Sequence, residues 1–174
     1  MADETVAAGP TYTVGIVMAE RIFAGLVVDH KIVGDLHTYP AGAAPRDADD
    51  DDALVELPTE SLIKVLCELV AAVAKGNEDK LTAVGIALPG FIRNGVVEEA
   101  PNLPQFKGAR ILELLTSGLD GHCIKAPVDV LNDADAVAAG LAAHHEKLDQ
   151  LIRVWTLGTG IGYGRYPFTA GVWE

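Results

Sequence analysis

Two near-continuous apolar runs of strand length, Leu81–Leu88 and Pro127–Leu131, limit this chain more than any other feature. Strands that are apolar at almost every position suit burial on both faces, as in parallel strands covered by helices. Each run follows a segment of helical period. Leu62, Ile63, Leu66, Leu69, Val70 and Val73 precede the first, in a helix predicted from a Thr59 cap to about Lys75, with Gly76 as its stop. Ile111, Leu112, Leu114 and Leu115 precede the second, in a short helix predicted over Gly108–Ser117. The alternation of strand and helix reads as an α/β fold.

The segments around this frame extend it. Tyr12–Met18, Ile22–Val28 and Lys31–Thr38 read as a meander of three strands, turning at Ala19-Glu20-Arg21 and at Asp29-His30. Residues 92–99 read as a small hairpin around Asn94-Gly95. Asn132-Asp133 opens an Ala-rich helix to about Lys147, and Ile152–Leu157 is one more strand. The order is β-β-β-α-β-α-β-α followed by a new strand, whose glycine turn looks like a restart of the opening β-turn-β unit. Residues 1–11 read as a flexible leader, 12–131 as an N-terminal α/β lobe, and 132–174 as a connecting helix with the start of a second, truncated lobe.

Composition narrows the function classes. Hydrophobic residues make up 49% and charged residues 22% of the 174, which is globular and not disordered. A net charge of −12 repels a nucleic-acid backbone, so no nucleic-acid partner is expected. The same field means that an anionic substrate needs local backbone amides or a metal ion to offset it. No apolar run approaches the ~18 residues of a membrane span, so no membrane partner is expected. The acidic leader lacks the basic start of a signal peptide, and Cys67 and Cys123 stand outside any CxxC or Cys/His cluster. A cytoplasmic protein with two reduced thiols follows. Asp47 and the run Asp49 to Asp52 read as a solvated acidic loop, because adjacent like charges rarely converge on one ion.

Four features can carry chemistry, and each has a plain alternative. Asn132 and Asp133 are both favoured helix caps. Yet a carboxylate where a strand meets a helix mouth points into the crevice in which α/β proteins bind ligands. There Asp133 can accept a proton from a hydroxyl attacking a phosphoryl group, while Asn132 holds a neighbouring hydroxyl. Gly158-Thr159-Gly160-Ile161-Gly162 is either a ligand-free hairpin turn or a cradle for nucleotide phosphates. No Gly-Lys-Ser/Thr follows, so it is not a Walker loop. Asn102, stiffened between Pro101 and Pro104, is either an Asx-turn or a sugar-binding amide. Gly90, after Pro89, serves the turn or lets a substrate lie against the backbone. His144-His145 reads as an exposed helix end, not a metal site.

Taken in order, Gly85-Ile86-Ala87-Leu88-Pro89-Gly90, Gly95-Val96-Val97, Ala100-Pro101-Asn102-Leu103-Pro104, Val130-Leu131-Asn132-Asp133-Ala134-Asp135-Ala136 and Leu157-Gly158-Thr159-Gly160-Ile161-Gly162 resemble the ROK (repressor, open reading frame, kinase) family, notably its bacterial glucokinase branch. The resemblance covers about residues 12–174. It implies an actin-like ATPase (ribonuclease H-like) fold of two lobes, and transfer of the ATP γ-phosphoryl group to a hexose 6-hydroxyl with Mg²⁺. It implies Asp133 as catalytic base, Gly90, Asn102, Asn132 and Glu174 at the sugar, and Gly158, Thr159 and Gly160 at the nucleotide phosphates. The family often forms dimers, so a homodimer is open.

Two departures accompany the resemblance. Family members usually carry Asp-x-Gly-Gly-Thr in the first hairpin, as a first phosphate loop. Here Val17 stands for the magnesium-holding Asp, and Ala19 and Glu20 for the glycines. Losing that cradle would cost on the order of several kcal/mol of transition-state stabilisation. Arg21 is the one cation left in the turn to meet a phosphate. The alternative reading is therefore a non-catalytic sugar-binding protein of the same fold. The second departure is length. Glu174 stands at the first position of the family's Glu-x-Gly-His sugar motif, and the Cys-rich zinc motif is absent from this chain. With about eleven residues ahead of the first strand, a helix-turn-helix is not expected, which disfavours the repressor branch.

Overall fold

The alternation of inward Val14, Ile16 and Met18 with outward neighbours makes Tyr12–Met18 (β1) the centre of a five-stranded sheet. The computed structural model describes residues 9–42, 54–157 and 160–167. Ile22–Val28 (β2) and Lys31–Tyr39 (β3) continue from β1 as the expected antiparallel meander. Leu81–Leu88 (β4) pairs parallel with β1, and Val128–Asn132 (β7) pairs parallel with β4, giving the order β3-β2-β1-β4-β7. Phe91–Arg93 (β5) and Val96–Glu99 (β6) form a separate small hairpin turning at Asn94-Gly95. The acidic run at Asp47 and Asp49 to Asp52 lies outside the described residues, as do residues 1–8 of the expected leader.

Helices Thr59–Ala74 (α1) and Ile111–Asp120 (α2) cover one face of the sheet. The core gathers Val14, Ile16, Met18, Ile22, Val84, Ile86 and Leu88 from the sheet against Leu62, Leu66, Val70, Leu115 and Phe106. Thr59 does not cap α1. Pro58 holds that position, and the Thr59 hydroxyl donates instead to the Gln105 carbonyl (2.7 Å), tying the helix start to the distant turn at Pro104–Phe106. The end of α1 is as expected, with Gly76 at a φ of +80° just beyond it.

The second helix starts and ends three residues later than its apolar pattern suggests. The Gly108 N–H donates to the Val97 carbonyl and the Val97 N–H to the Ala109 carbonyl, so these residues run beside β6 and are not free to begin a helix. At its other end α2 continues through Gly118, because α1 and α2 approach closely there. A Cβ at Gly118 would sit 2.6 Å from the Cys67 sulfur. Burial, and then the neighbouring Glu68 charge, push the Cys67 thiol above its ordinary pKa, which keeps it an apolar filler.

Asp133–His144 (α3) leaves the end of β7. It stops short of Lys147 because Glu146 adopts a φ of +55°. The Glu146 N–H then bonds the Ala143 carbonyl and the Lys147 N–H the Ala142 carbonyl, a closing pattern usually made with glycine. Ile152–Leu157 (β8) and Ile161–Tyr166 (β9) form an antiparallel hairpin packed on α3. Ile161 and Gly162, read from sequence as part of the glycine turn, are the first residues of β9. No helix of the described residues is long and apolar enough to cross a membrane.

Candidate functional site

Because β1, β4 and β7 run parallel, their carboxyl ends share one edge. The register aligns Val17 with Ala87 and Ala87 with Leu131, so Ala19, Gly90 and Asp133 follow on the same side. That edge is where open α/β sheets bind ligands. A cleft of about 290 Å³ opens there, lined by Val17, Met18 and Ala19 from the first hairpin, Ala87 from β4, Asp133, Ala136 and Val137 from α3, and Thr156 from β8.

Among the described residues Asp133 is the only carboxylate in this lining. Its Oδ1 accepts the Ala134 N–H at 2.9 Å. Its second oxygen has no hydrogen-bond partner among the described residues. A half-buried carboxylate fixed at one oxygen and open at the other can take a proton from a hydroxyl brought into the cleft. Asn132 is committed more fully. Its Oδ1 caps α3 by accepting the Ala134 and Asp135 amides, and its Nδ2 donates to the Gly90 carbonyl at 2.8 Å. One amide hydrogen remains for a ligand.

Gly90 lies beside this pair for a steric reason. Its φ is +130°, and a Cβ there would fall 2.5 Å from the Glu99 carbonyl oxygen. The glycine thus lets the loop at Ala100 close against the end of β4. Asn102 is exposed on that loop, in a turn closed by the Leu103 N–H to the Ala100 carbonyl (3.0 Å), and does not line the cleft. Gly160 is exposed at the tip of the second hairpin. Gly158, Thr159 and Glu174 lie outside the described residues.

The first turn does not resemble a phosphate cradle. Val17 and Ala19 present apolar surface to the cleft, and the Ala19 N–H is spent on the Arg21 carbonyl (2.9 Å). Arg21 is not available to a phosphate, contrary to its reading from sequence. Its guanidinium donates to the carbonyls of Pro40 and Gly42 and anchors the chain beyond β3. The described residues also fit Mg²⁺ poorly. They gather no cluster of three or more His, Cys, Asp or Glu, and Val17 offers no oxygen where a second carboxylate would help.

Two residues were missed in the sequence. Thr156 faces α3 with Ile152 and Val154, while Trp155 and Leu157 face outward, so strand alternation alone marks it as the polar member of an inward row. Asp135, two positions after Asp133, accepts the Arg165 N–H at 2.8 Å. Burial pushes its carboxyl up, opposed by the Arg165 N–H and guanidinium and aided by the Asp133 charge.

The sequence profile of the ROK family matches residues 49–166. The chain is 32% identical over 120 residues to the glucokinase of Thermotoga maritima, an alignment covering 65% of this chain and 34% of that protein. Among solved structures it is similar to the inorganic polyphosphate/ATP-glucomannokinase of Arthrobacter, at 26% identity and a TM-score of 0.62, covering 91% of this chain and 62% of that one. It is also similar to a ROK family glucokinase from Streptomyces griseus, solved with glucose and AMPPNP, at 24% identity and a TM-score of 0.64, covering 88% and 44%. The chain thus spans about a third of the curated relative and 44% to 62% of these structures. The fold is the actin-like ATPase fold of these sugar kinases, represented by its βββαβαβα lobe and the hairpin that follows.

Proposed function

The chain belongs to the ROK family, and on that premise we propose that it is the sugar-handling part of a cytoplasmic, ATP-dependent hexose kinase of glucokinase type. The observation that carries this reading is Asp133, the lone carboxylate of a cleft at the carboxyl ends of three parallel strands. Asp133 accepts the proton of the sugar 6-hydroxyl as that oxygen attacks the γ-phosphorus of ATP, whose bond to the β,γ-bridging oxygen breaks to release ADP. Asn132, through its remaining amide hydrogen, holds a neighbouring hydroxyl, Asn102 meets the sugar from its exposed loop outside the cleft lining, and Gly90 and Glu174 complete the sugar site. Gly158, Thr159 and Gly160 meet the nucleotide phosphates. Residues 12–131 act as the first lobe, and 132–174 as the linking helix and opening of the second.

The test is Asp133→Ala in the protein as it is naturally encoded. Turnover should fall by roughly a hundredfold or more, while sugar affinity in calorimetry stays within about twofold. Retained turnover would sink the assignment.

A second reading is favoured by the apolar first turn, where Val17 and Ala19 line the cleft and Arg21 is tied to the Pro40 and Gly42 carbonyls. On that reading the protein binds sugar without phosphorylating it. Calorimetry with ATP and Mg²⁺ separates the two. Saturable nucleotide binding with sugar-dependent phosphate transfer removes the second reading, and sugar binding alone removes the first.

A further inference from the structure

The helix that carries Asp133 and the hairpin that carries the glycine turn are joined by an unusually close contact. A Cβ at Gly164 of β9 would lie 2.1 Å from the carbonyl carbon and oxygen of Ala134. A Cβ at Gly162 would lie 3.4 Å from the Ala134 side chain. Ala134 is itself fully buried beneath them. Such flush packing transmits displacement directly, since no flexible side chain lies between the two backbones.

At this seam one side chain reaches across with a hydrogen bond. The Asp135 Oδ1 accepts the Arg165 N–H at 2.8 Å, in the first turn of α3 and two residues beyond Asp133. Asp135 is not in the cleft lining, whereas Asp133 and Thr156 are. Resting on the kinase reading above, we propose that Asp135 is a positioning residue: it pins β9 to the mouth of α3 and so sets the distance between the base, Asp133, and the hairpin bearing Thr156.

The hydrogen bond from the Arg165 N–H asks only for an acceptor at this place. A backbone N–H on β9 needs a partner once it is shielded from water, and Oδ1 of either Asp or Asn supplies one. The role is therefore separable from the charge. Asp135→Asn keeps the acceptor, and Asp135→Ala removes it while leaving Ala134 and Gly164 in contact.

Two measurements on these variants decide the matter. The first is amide hydrogen exchange on the chain itself. Asp135→Ala should speed exchange at Arg165 and along β9 by about tenfold, with β1 and β4 unchanged, and Asp135→Asn should restore protection. Unchanged exchange at Arg165, or faster exchange throughout the chain, overturns the proposal. The second is steady-state kinetics on the naturally encoded protein. Asp135→Ala should lower kcat by about tenfold and raise KM for the nucleotide, with KM for the sugar unchanged and Asn rescuing both. An equal loss in sugar KM, or no rescue by Asn, overturns it. Absence of turnover in the unmodified protein defeats the kinase reading, while the exchange arm still decides whether Asp135 holds the hairpin.

Discussion

The molecule contains two hairpins of similar plan, β1–β2 and β8–β9, whose surroundings and turn chemistry differ in every important respect. The first is sewn into a five-stranded sheet and contributes Val14, Ile16, Met18, Ile22 and Ala24 to the core. The second pairs only with itself. Its inner side rests on α3, and Trp155, Leu157 and Ile161 stand largely exposed on its outer side. The first turn carries Glu20 and an arginine bound behind it. Between β8 and β9 the sequence is Gly158-Thr159-Gly160. One plan thus serves the stability of the fold at one place and close approach to a helix mouth at the other.

The sharpest way to break this contrast is at the glycines. Gly164→Val should cost about 3 kcal/mol or more, because the new Cβ would overlap the Ala134 backbone, for which no rotamer offers relief. Gly15→Ala, in the first strand of the first hairpin, should change stability by no more than about 0.5 kcal/mol. The nearest atom to its new Cβ is the Val27 side chain at 3.9 Å. Denaturant midpoints of the two variants provide the measurement. Equal losses would mean that the second hairpin is no more tightly seated than the first.

Arg21→Ala tests the other turn. It removes the charged donor from the Pro40 and Gly42 carbonyls and should cost about 1–2 kcal/mol in the same assay. Nucleotide affinity should be untouched, since this guanidinium faces away from any phosphate. A selective loss of nucleotide binding would return Arg21 to the cleft.

The smallest effect concerns pH at the second hairpin. The Asp135 carboxyl is raised in the folded state, mainly by burial, with Asp133 on its own helix adding to the shift and Arg165 on β9 opposing it. Between the unfolded value of about 3.9 and the raised folded value, the folded chain holds the extra proton. Stability from this group is therefore greatest below the unfolded value and falls as pH rises through the folded one. Asp135→Asn, which lacks that fall, should melt slightly higher than the parent near neutral pH, and the gain should vanish at low pH. A thermal melting series across pH reads this directly, and a gain that grew on acidification would reverse the assignment.

Much of this was legible in the residues. Strand alternation placed β1 and β2 at their observed bounds, and the apolar run placed β4, because burial on one or both faces imposes its own period. The start of α2 was not legible, since it depends on Gly108 and Ala109 pairing with Val97, on a different element earlier in the chain. The end of α3 was hidden too, as Glu146 adopts the left-handed conformation without the glycine that usually signals it.

Local pattern determined the order of strands and helices, the family resemblance and the position of Asp133 at a helix mouth, because each depends on neighbours in the chain. Tertiary structure alone decided which groups meet. It turned Arg21 from the cleft to the Pro40 and Gly42 carbonyls, engaged Asn132 with Gly90, and set Asp135 against Arg165. Hydrogen bonds and steric contacts act over a few ångströms of space whatever the separation in sequence, so a single chain read by itself names the acid but not the groups that hold it in place.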